Sequence, residues 1–457
     1  MNQTWAKVLS SFILTRISER SSLQKIVANI GWLFVDKMLS IVAGLFVGAW
    51  MARYLGPAQF GLYNYAIAFV SLFAPLAGLG LGSIVIRNIV HDLPDKDEIL
   101  GTAFILQSTA SLLVLVLAIG SAYLIRPGDT LARWLIAIMG GRVVFEAFSN
   151  AFDYWFQSQV QSKYTVWAKN TALVLIALVK VSLILLRAPL IAFAWAALAE
   201  IVLFGAALAI WYHVSGQRLA AWRGSFLCAK RLLKDSWPLI LSGLAVVIYM
   251  RVDQIMLGDM AGEEALGIYS AAVRLSELWY FIPIAVAGSV FPAIIRSRES
   301  QSDQVYRQRM QAFYDVMAGI SYAIALPVTL IASPLVVTLF GAEYAEAGPV
   351  LTVHVWAFLF VSLGVARSQW LVAENMVQVS MFTTILGAVV NVMLNYWLIP
   401  QYAGLGAAWA TVIAQAIATY LSCVFSTRLW PVFRQLSLSL LVPLRLFSLR
   451  KSLLGFL

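Results

Sequence analysis

The hydrophobic positions of this chain run in blocks of roughly 20 or more residues separated by short polar breaks, with no sustained alternation. A helical block of that length crosses a hydrocarbon core about 30 Å thick. In lipid every backbone N–H and C=O must be satisfied within its own segment, which excludes open strands. The pattern therefore predicts an all-α, polytopic membrane protein of about twelve transmembrane helices: 29–52, 62–86, 99–122, 133–156, 164–186, 189–212, 236–258, 266–292, 311–339, 346–372, 376–399 and 404–427. Connections are short, and the longest, from about 213 to 235, leaves no room for a folded domain.

The flanks read differently. In residues 1–28, Trp5, Leu9, Phe12 and Ile17 share a helix face, which predicts an amphipathic helix on the cytoplasmic membrane surface. A basic, Ser-rich stretch follows the short apolar run, so this is not the pattern of a cleaved signal peptide. In residues 428–457 the apolar runs are broken by Arg434, Pro443 and Arg445. That predicts a basic cytoplasmic or interfacial tail, with a hairpin giving fourteen spans as the alternative.

Composition agrees with lipid as the solvent. The 457 residues are 61% hydrophobic and 12% charged, with a mean hydropathy of +0.83, against roughly 25% charged in soluble domains. Cys228 and Cys423 are too far apart in sequence to suggest a disulfide framework, and His91, His213 and His354 have no ligand spacing. The net charge of +10 raises the question of nucleic acid, but its distribution answers otherwise. Basic residues crowd the N-terminus, the even-to-odd connections and the tail; the opposite side carries Arg53, Arg126, Arg133 and Arg187. This bias places both termini in the cytoplasm and offers contacts to anionic lipids.

An internal repeat is legible. Residues 56–66 read GPAQFGLYNYA and residues 262–272 read GEEALGIYSAA, four identities at one offset of 206 residues. The glycines suit a tight turn, and Tyr63 and Tyr269 are expected at the membrane interface. A weaker echo joins Ala194-Trp195-Ala196 to Ala408-Trp409-Ala410. A six-span half begins and ends on the same side, so the halves, 29–213 and 236–427 joined by a basic linker at 214–235, are parallel repeats around a central cavity. The closed repeat favours a monomer.

Ionisable residues inside spans cost about 2.5–3.5 kcal/mol each unless they face protein or water, and so mark candidate sites. Arg142 with Glu146 and Arg274 with Glu277 are spaced to pair on one helix face, which makes each a structural ion pair as readily as a ligand. Asp36 and Lys37 project about 100° apart, Arg251 and Asp253 point to nearly opposite sides, and Arg367 has no acidic residue within four positions. These five are expected to line a polar cavity. Lys169 and Lys180 lie near span ends and are expected to snorkel. A cationic cavity built from Arg251, Arg367 and Lys37, with Arg142 and Arg274 as further candidates, suits a pyrophosphate, which arginine grips bidentately. Asp36, Asp253 and Glu200 either pair with these cations or take a coupling H+ or Na+; the sequence leaves both open. Gly44, Gly48, Gly78, Gly80 and Gly82 are expected to permit close helix approach.

Four stretches carry a family resemblance. MARYLGPAQFGLY at 51–63, RVDQIMLG at 251–258 followed by GIYSAA at 267–272, GAEYAEAGPVL at 341–351, and NVMLNYWLIP at 391–400 with GLGAA at 404–408 appear in order. Together they resemble the polysaccharide-biosynthesis and O-antigen flippases of the multidrug/oligosaccharidyl-lipid/polysaccharide exporter superfamily. The resemblance implies two six-helix bundles around an alternating cavity. It also implies transfer of an undecaprenyl-pyrophosphate-linked oligosaccharide repeat unit to the periplasmic leaflet of the inner membrane, for O-antigen or exopolysaccharide synthesis. Polymerase and chain-length machinery are the partners it implies, and no enzymatic role.

Three rival functions stand beside it. A multidrug exporter of the same superfamily needs acidic, aromatic sites for cations, whereas Lys37, Arg251 and Arg367 supply the opposite sign. A peptidoglycan-precursor flippase shares the physics. A membrane polymerase or ligase needs a sizeable periplasmic loop and a nucleophile–base or metal constellation, and neither is apparent in the sequence.

Overall fold

The computed structural model describes residues 40–41, 43–300 and 303–445; the expected amphipathic N-terminal helix and the charged pair Asp36 and Lys37 lie outside them. Among the described residues the chain is helical, without strands. Ten stretches among the described residues are long and apolar enough to cross a membrane, and they account for expected spans two to twelve. The count is ten because spans eleven and twelve join in α14 (Val377–Thr419), which kinks at Ala403, φ 44° and ψ −126°. Large apolar side chains stand outward on these helices: Leu124 and Leu330 are each more than three-quarters exposed. In water such surface would be a liability; in lipid it is the lateral face.

The first described helix, α1, covers residues 43–71. A loop is expected at its middle, and a kink stands there instead: Gly56 takes φ 70°. Proline at 57 disfavours the right-handed helical region for the residue before it, and glycine enters the left-handed region without penalty. Expected span 62–86 is interrupted. After α1 come α2 (Ala74–Gly78), a left-handed pair at Leu79 and Gly80, and α3 (Gly82–His91). Gly80 is required where it sits, because a Cβ there would stand 2.8 Å from the Leu239 Cβ.

The described chain divides into two compact units, one comprising the residues up to Val47 with Phe73–Ile240, the other Gly48–Leu72 with Leu241 onward. In the first unit α4 (Lys96–Ile125), α5 (Thr130–Ser158), α6 (Ser162–Leu185) and α7 (Leu190–Val214) follow one another, with α5 packed on both α4 and α7. Its core is aromatic: Phe152, Phe156 and Tyr212 are fully buried, and Trp222 donates its indole N–H to the Tyr212 hydroxyl at 2.9 Å. The basic linker expected over 214–235 is half helix, since α8 (Phe226–Met260) begins at its midpoint. Cys228, Leu232 and Ser236 recur every fourth residue and are buried, while Lys230, Arg231 and Lys234 fall between them.

The second unit holds the rest of α1 and α8, then α9 (Glu263–Glu277), α10 (Phe281–Ser300), α11 (Asp303–Phe340), α12 (Ala347–His354), α13 (Ala357–Ala373), α14 and α15 (Trp430–Leu440). Helix α15 is the α-helical segment of the described tail, residues 428–445. Its 11 residues rise about 16 Å, too short to cross a bilayer as one arm of a hairpin. It lies against α11, burying Val432 and Leu436, and Ser439 donates to Asp315 at 2.7 Å.

Candidate functional site

The intramembrane charges of the second unit gather on α8, α9 and α13. Arg251 on α8 reaches Glu277 on α9 at 3.4 Å. This overturns the pairing expected from spacing, in which Glu277 meets Arg274. The helix geometry permits both, and the neighbouring helix offers Glu277 the competing guanidinium. Arg274 lies instead over Gly48 of α1, where a Cβ would stand 2.3 Å from its Nη1, and no carboxylate among the described residues forms an ion pair with it. Gly48 thus makes room for a cation, while Gly44 and Gly78 have nothing within 4 Å and need not be glycine for packing.

Asp253 is buried and held by hydroxyl and amide donors. The Tyr269 hydroxyl donates to it, as do the Gln254 backbone N–H at 2.8 Å and the Thr411 hydroxyl at 3.4 Å. Tyr269, expected at the membrane interface, is fully buried, and its repeat partner Tyr63 is also buried. For Tyr269 the reason is the aspartate, which gives a phenol a partner in the interior and draws the ring inward. His354 packs edge-on against Tyr269 at 5.8 Å and shares a 2.9 Å hydrogen bond with Ser276.

Arg367 on α13 is buried, with no carboxylate paired to it among the described residues. Its Nη1 donates to the carbonyl oxygens of Ala418 and Thr419 at 2.9 and 3.0 Å and to the Ser422 hydroxyl at 2.8 Å. Its Nη2 donates to the Thr383 hydroxyl at 2.6 Å. The carbonyls belong to the last turn of α14, whose C=O groups lack intrahelical partners and carry the negative end of the helix dipole. The guanidinium therefore caps α14, and its Nε, also buried, has no hydrogen-bond partner among the described residues. It borders a cavity of about 430 Å³ whose other walls include Tyr249, Ser368, Thr384 and Gln415. Positive charge without a carboxylate partner, ringed by hydroxyls, is suited to a polyanion.

The remaining candidates are placed apart. In the first unit Glu200 pairs with Lys180 at 3.4 Å between α7 and α6, so Lys180 is a charge partner and does not snorkel freely. Lys169 is exposed on α6. Arg142 lies near enough to Glu146 for its charge to act on that carboxylate, as their spacing allows; Glu146 borders a small cavity with Asn150 and Gly78. No group of three or more His, Cys, Asp or Glu with metal-holding geometry occurs among the described residues. Sequence reasoning missed Thr383, Thr411 and Ser422, since a hydroxyl in a membrane helix has no pattern of its own. It also missed Asn391 and Asn395, which are fully buried and joined by a 2.9 Å hydrogen bond.

The family model described as polysaccharide biosynthesis protein matches residues 26–298, more than half of the chain, and the MatE model matches 238–397. A protein from Haloferax volcanii described as probable flippase AglR is 23% identical over 83% of this chain and 80% of its own length. A putative O-antigen transporter from Shigella dysenteriae is 25% identical over 42% of this chain and 47% of its own. Among solved structures, the lipid II flippase MurJ in an inward closed conformation superposes with a TM-score of 0.72 at 16% identity, covering 92% of each chain. An inward-facing multidrug resistance MATE family transporter gives 0.69 at 17% identity, covering 93% of this chain and 99% of that one. At these identities the structures establish the shared fold.

Proposed function

Because the chain belongs to the polysaccharide biosynthesis protein family, we propose that it flips an undecaprenyl-pyrophosphate-linked oligosaccharide repeat unit across the bacterial inner membrane, with both termini in the cytoplasm. The observation that carries this reading is Arg367: a buried guanidinium without an acidic partner among the described residues, bordering a hydroxyl-lined cavity. Holding an unpaired cation in low dielectric is costly, and a pyrophosphate offsets that cost during transport. Arg251 and Arg274 are the further cationic candidates. Asp253 is the candidate for coupling to H+ or Na+, since its donors are neutral hydroxyls and an amide. Glu200, bound to Lys180, serves as a charge partner.

The relatives described as a flippase and an O-antigen transporter support the substrate class. Deleting the gene and analysing lipid extracts by mass spectrometry tests it. A glycan-bearing polyprenyl pyrophosphate is expected to accumulate and to disappear on complementation; unchanged lipids would remove the reading's support. A second reading, transport of a peptidoglycan precursor, is favoured by the superposition on the lipid II flippase. In that case the accumulating lipid carries the peptide-bearing wall unit.

A further inference from the structure

The flippase reading places the charged end of a substrate near Arg367 and leaves its hydrocarbon chain unassigned. A second cavity, of about 470 Å³, lies between α8 and α14, and all its lining residues are apolar, among them Leu244, Ala245, Ile248, Ile385, Ala388 and Val392. The same two helices, together with α10 and α13, wall the Arg367 cavity. On α8, Val246, Tyr249 and Met250 line the cationic cavity while Ala245 and Ile248 line the groove. On α14, Ser380, Thr383 and Thr384 line the first and Met381, Ile385 and Ala388 the second. From 381 to 393 the groove follows α14 for roughly 18 Å at the helical rise. Both volumes fall within the range of about 300–1,000 Å³ of sites that hold small ligands.

We propose that this groove seats the first isoprene units of the lipid-linked substrate while its pyrophosphate occupies the Arg367 cavity. The inference rests on the flippase reading and adds the binding place of the lipid chain. A buried cation on α13, ringed by hydroxyls, thus borders a cavity that shares its α8 and α14 walls with a purely apolar channel. That polarity is complementary to an amphiphile with an anionic head and a hydrocarbon tail. Met381, Ile385, Val389 and Met393 remain exposed enough along the groove for a chain to enter sideways. Methionine side chains adapt to irregular shapes, which suits a methyl-branched tail.

The test uses purified full-length protein and native mass spectrometry with three probes: undecaprenyl pyrophosphate, inorganic pyrophosphate and phosphatidylglycerol. The wild type is expected to bind the long-chain pyrophosphate at least about tenfold more tightly than either other probe. Ala388→Trp, which fills the groove, is expected to abolish that tenfold preference while inorganic pyrophosphate binds as before. Ile385→Asn, at an exposed position where misfolding is a smaller risk, is expected to reduce it in the same sense. Arg367→Gln should weaken both pyrophosphates. Long-chain binding unchanged in Ala388→Trp and Ile385→Asn overturns the groove, as does equal binding of phosphatidylglycerol. The two readings separate in cells: if both groove variants export glycan like wild type, the groove is wrong and the flippase stands. If the wild-type gene supports no export, the flippase reading fails first.

Discussion

Gly61 and Gly267 occupy the same position in the two copies of the repeat, and each packs against the backbone just after the other copy's positive-φ glycine. A Cβ on Gly61 would stand 1.8 Å from the Glu263 carbonyl oxygen, and one on Gly267 would stand 1.9 Å from the Pro57 carbonyl oxygen. Pro57 and Glu263 are themselves related by the repeat offset of 206 residues. The contact is therefore self-complementary, as expected of two copies related by an internal two-fold. The turn glycines obey the same relation, Gly56 at φ 70° and Gly262 at φ 89°.

Gly61→Ala and Gly267→Ala should each destabilise the protein by about 1–3 kcal/mol, because the obstruction is backbone and cannot rotate away. Thermal unfolding in detergent measures this. Gly44→Ala, with nothing within 4 Å of its added Cβ, is the control and should unfold like wild type.

The Arg251–Glu277 pair predicts coupling between the two positions. Glu277→Gln and Arg251→Gln should each lower stability, and the double variant should lose less than the sum, by about 1–2 kcal/mol for a pair that keeps partial exposure. A double-mutant cycle on unfolding midpoints checks it, and strict additivity would refute the pair.

Arg367→Lys keeps the charge and loses the planar fork that reaches Ala418, Thr419 and Thr383 together. Leaving a buried carbonyl without its donor costs about 1–3 kcal/mol. The lysine variant should therefore be less stable and export less, and Arg367→Gln should export nothing detectable. Export is read from surface glycan against the amount of inserted protein.

Tyr269→Phe removes a donor from the buried Asp253 and should cost about 1–3 kcal/mol in unfolding stability. Asp253→Asn keeps the shape and removes the charge. If Asp253 couples transport to an ion gradient, transport by that variant in proteoliposomes should no longer respond to an imposed H+ or Na+ gradient. An unaltered response would remove Asp253 from the coupling step.

What the sequence determined by itself was the class of molecule. Block length and charge content require lipid as the solvent, and a lipid solvent requires helices, whatever the tertiary contacts. The repeat was legible for the same local reason: Gly56 and Gly262 take positive-φ conformations that glycine adopts without penalty, so the turns are written at those positions. The weaker echo also has a structural counterpart, with Trp195 and Trp409 about half exposed between buried alanines. The partners of the charges were decided by the tertiary structure. Spacing on one helix allowed Glu277 to meet Arg274, yet a guanidinium on α8 won. Arg367 does border a polar cavity, as its sequence context suggests, but it also caps a helix end 51 residues away in sequence. Electrostatic pairing in a low-dielectric interior depends on distances between helices, and those distances are set by packing that no local pattern encodes.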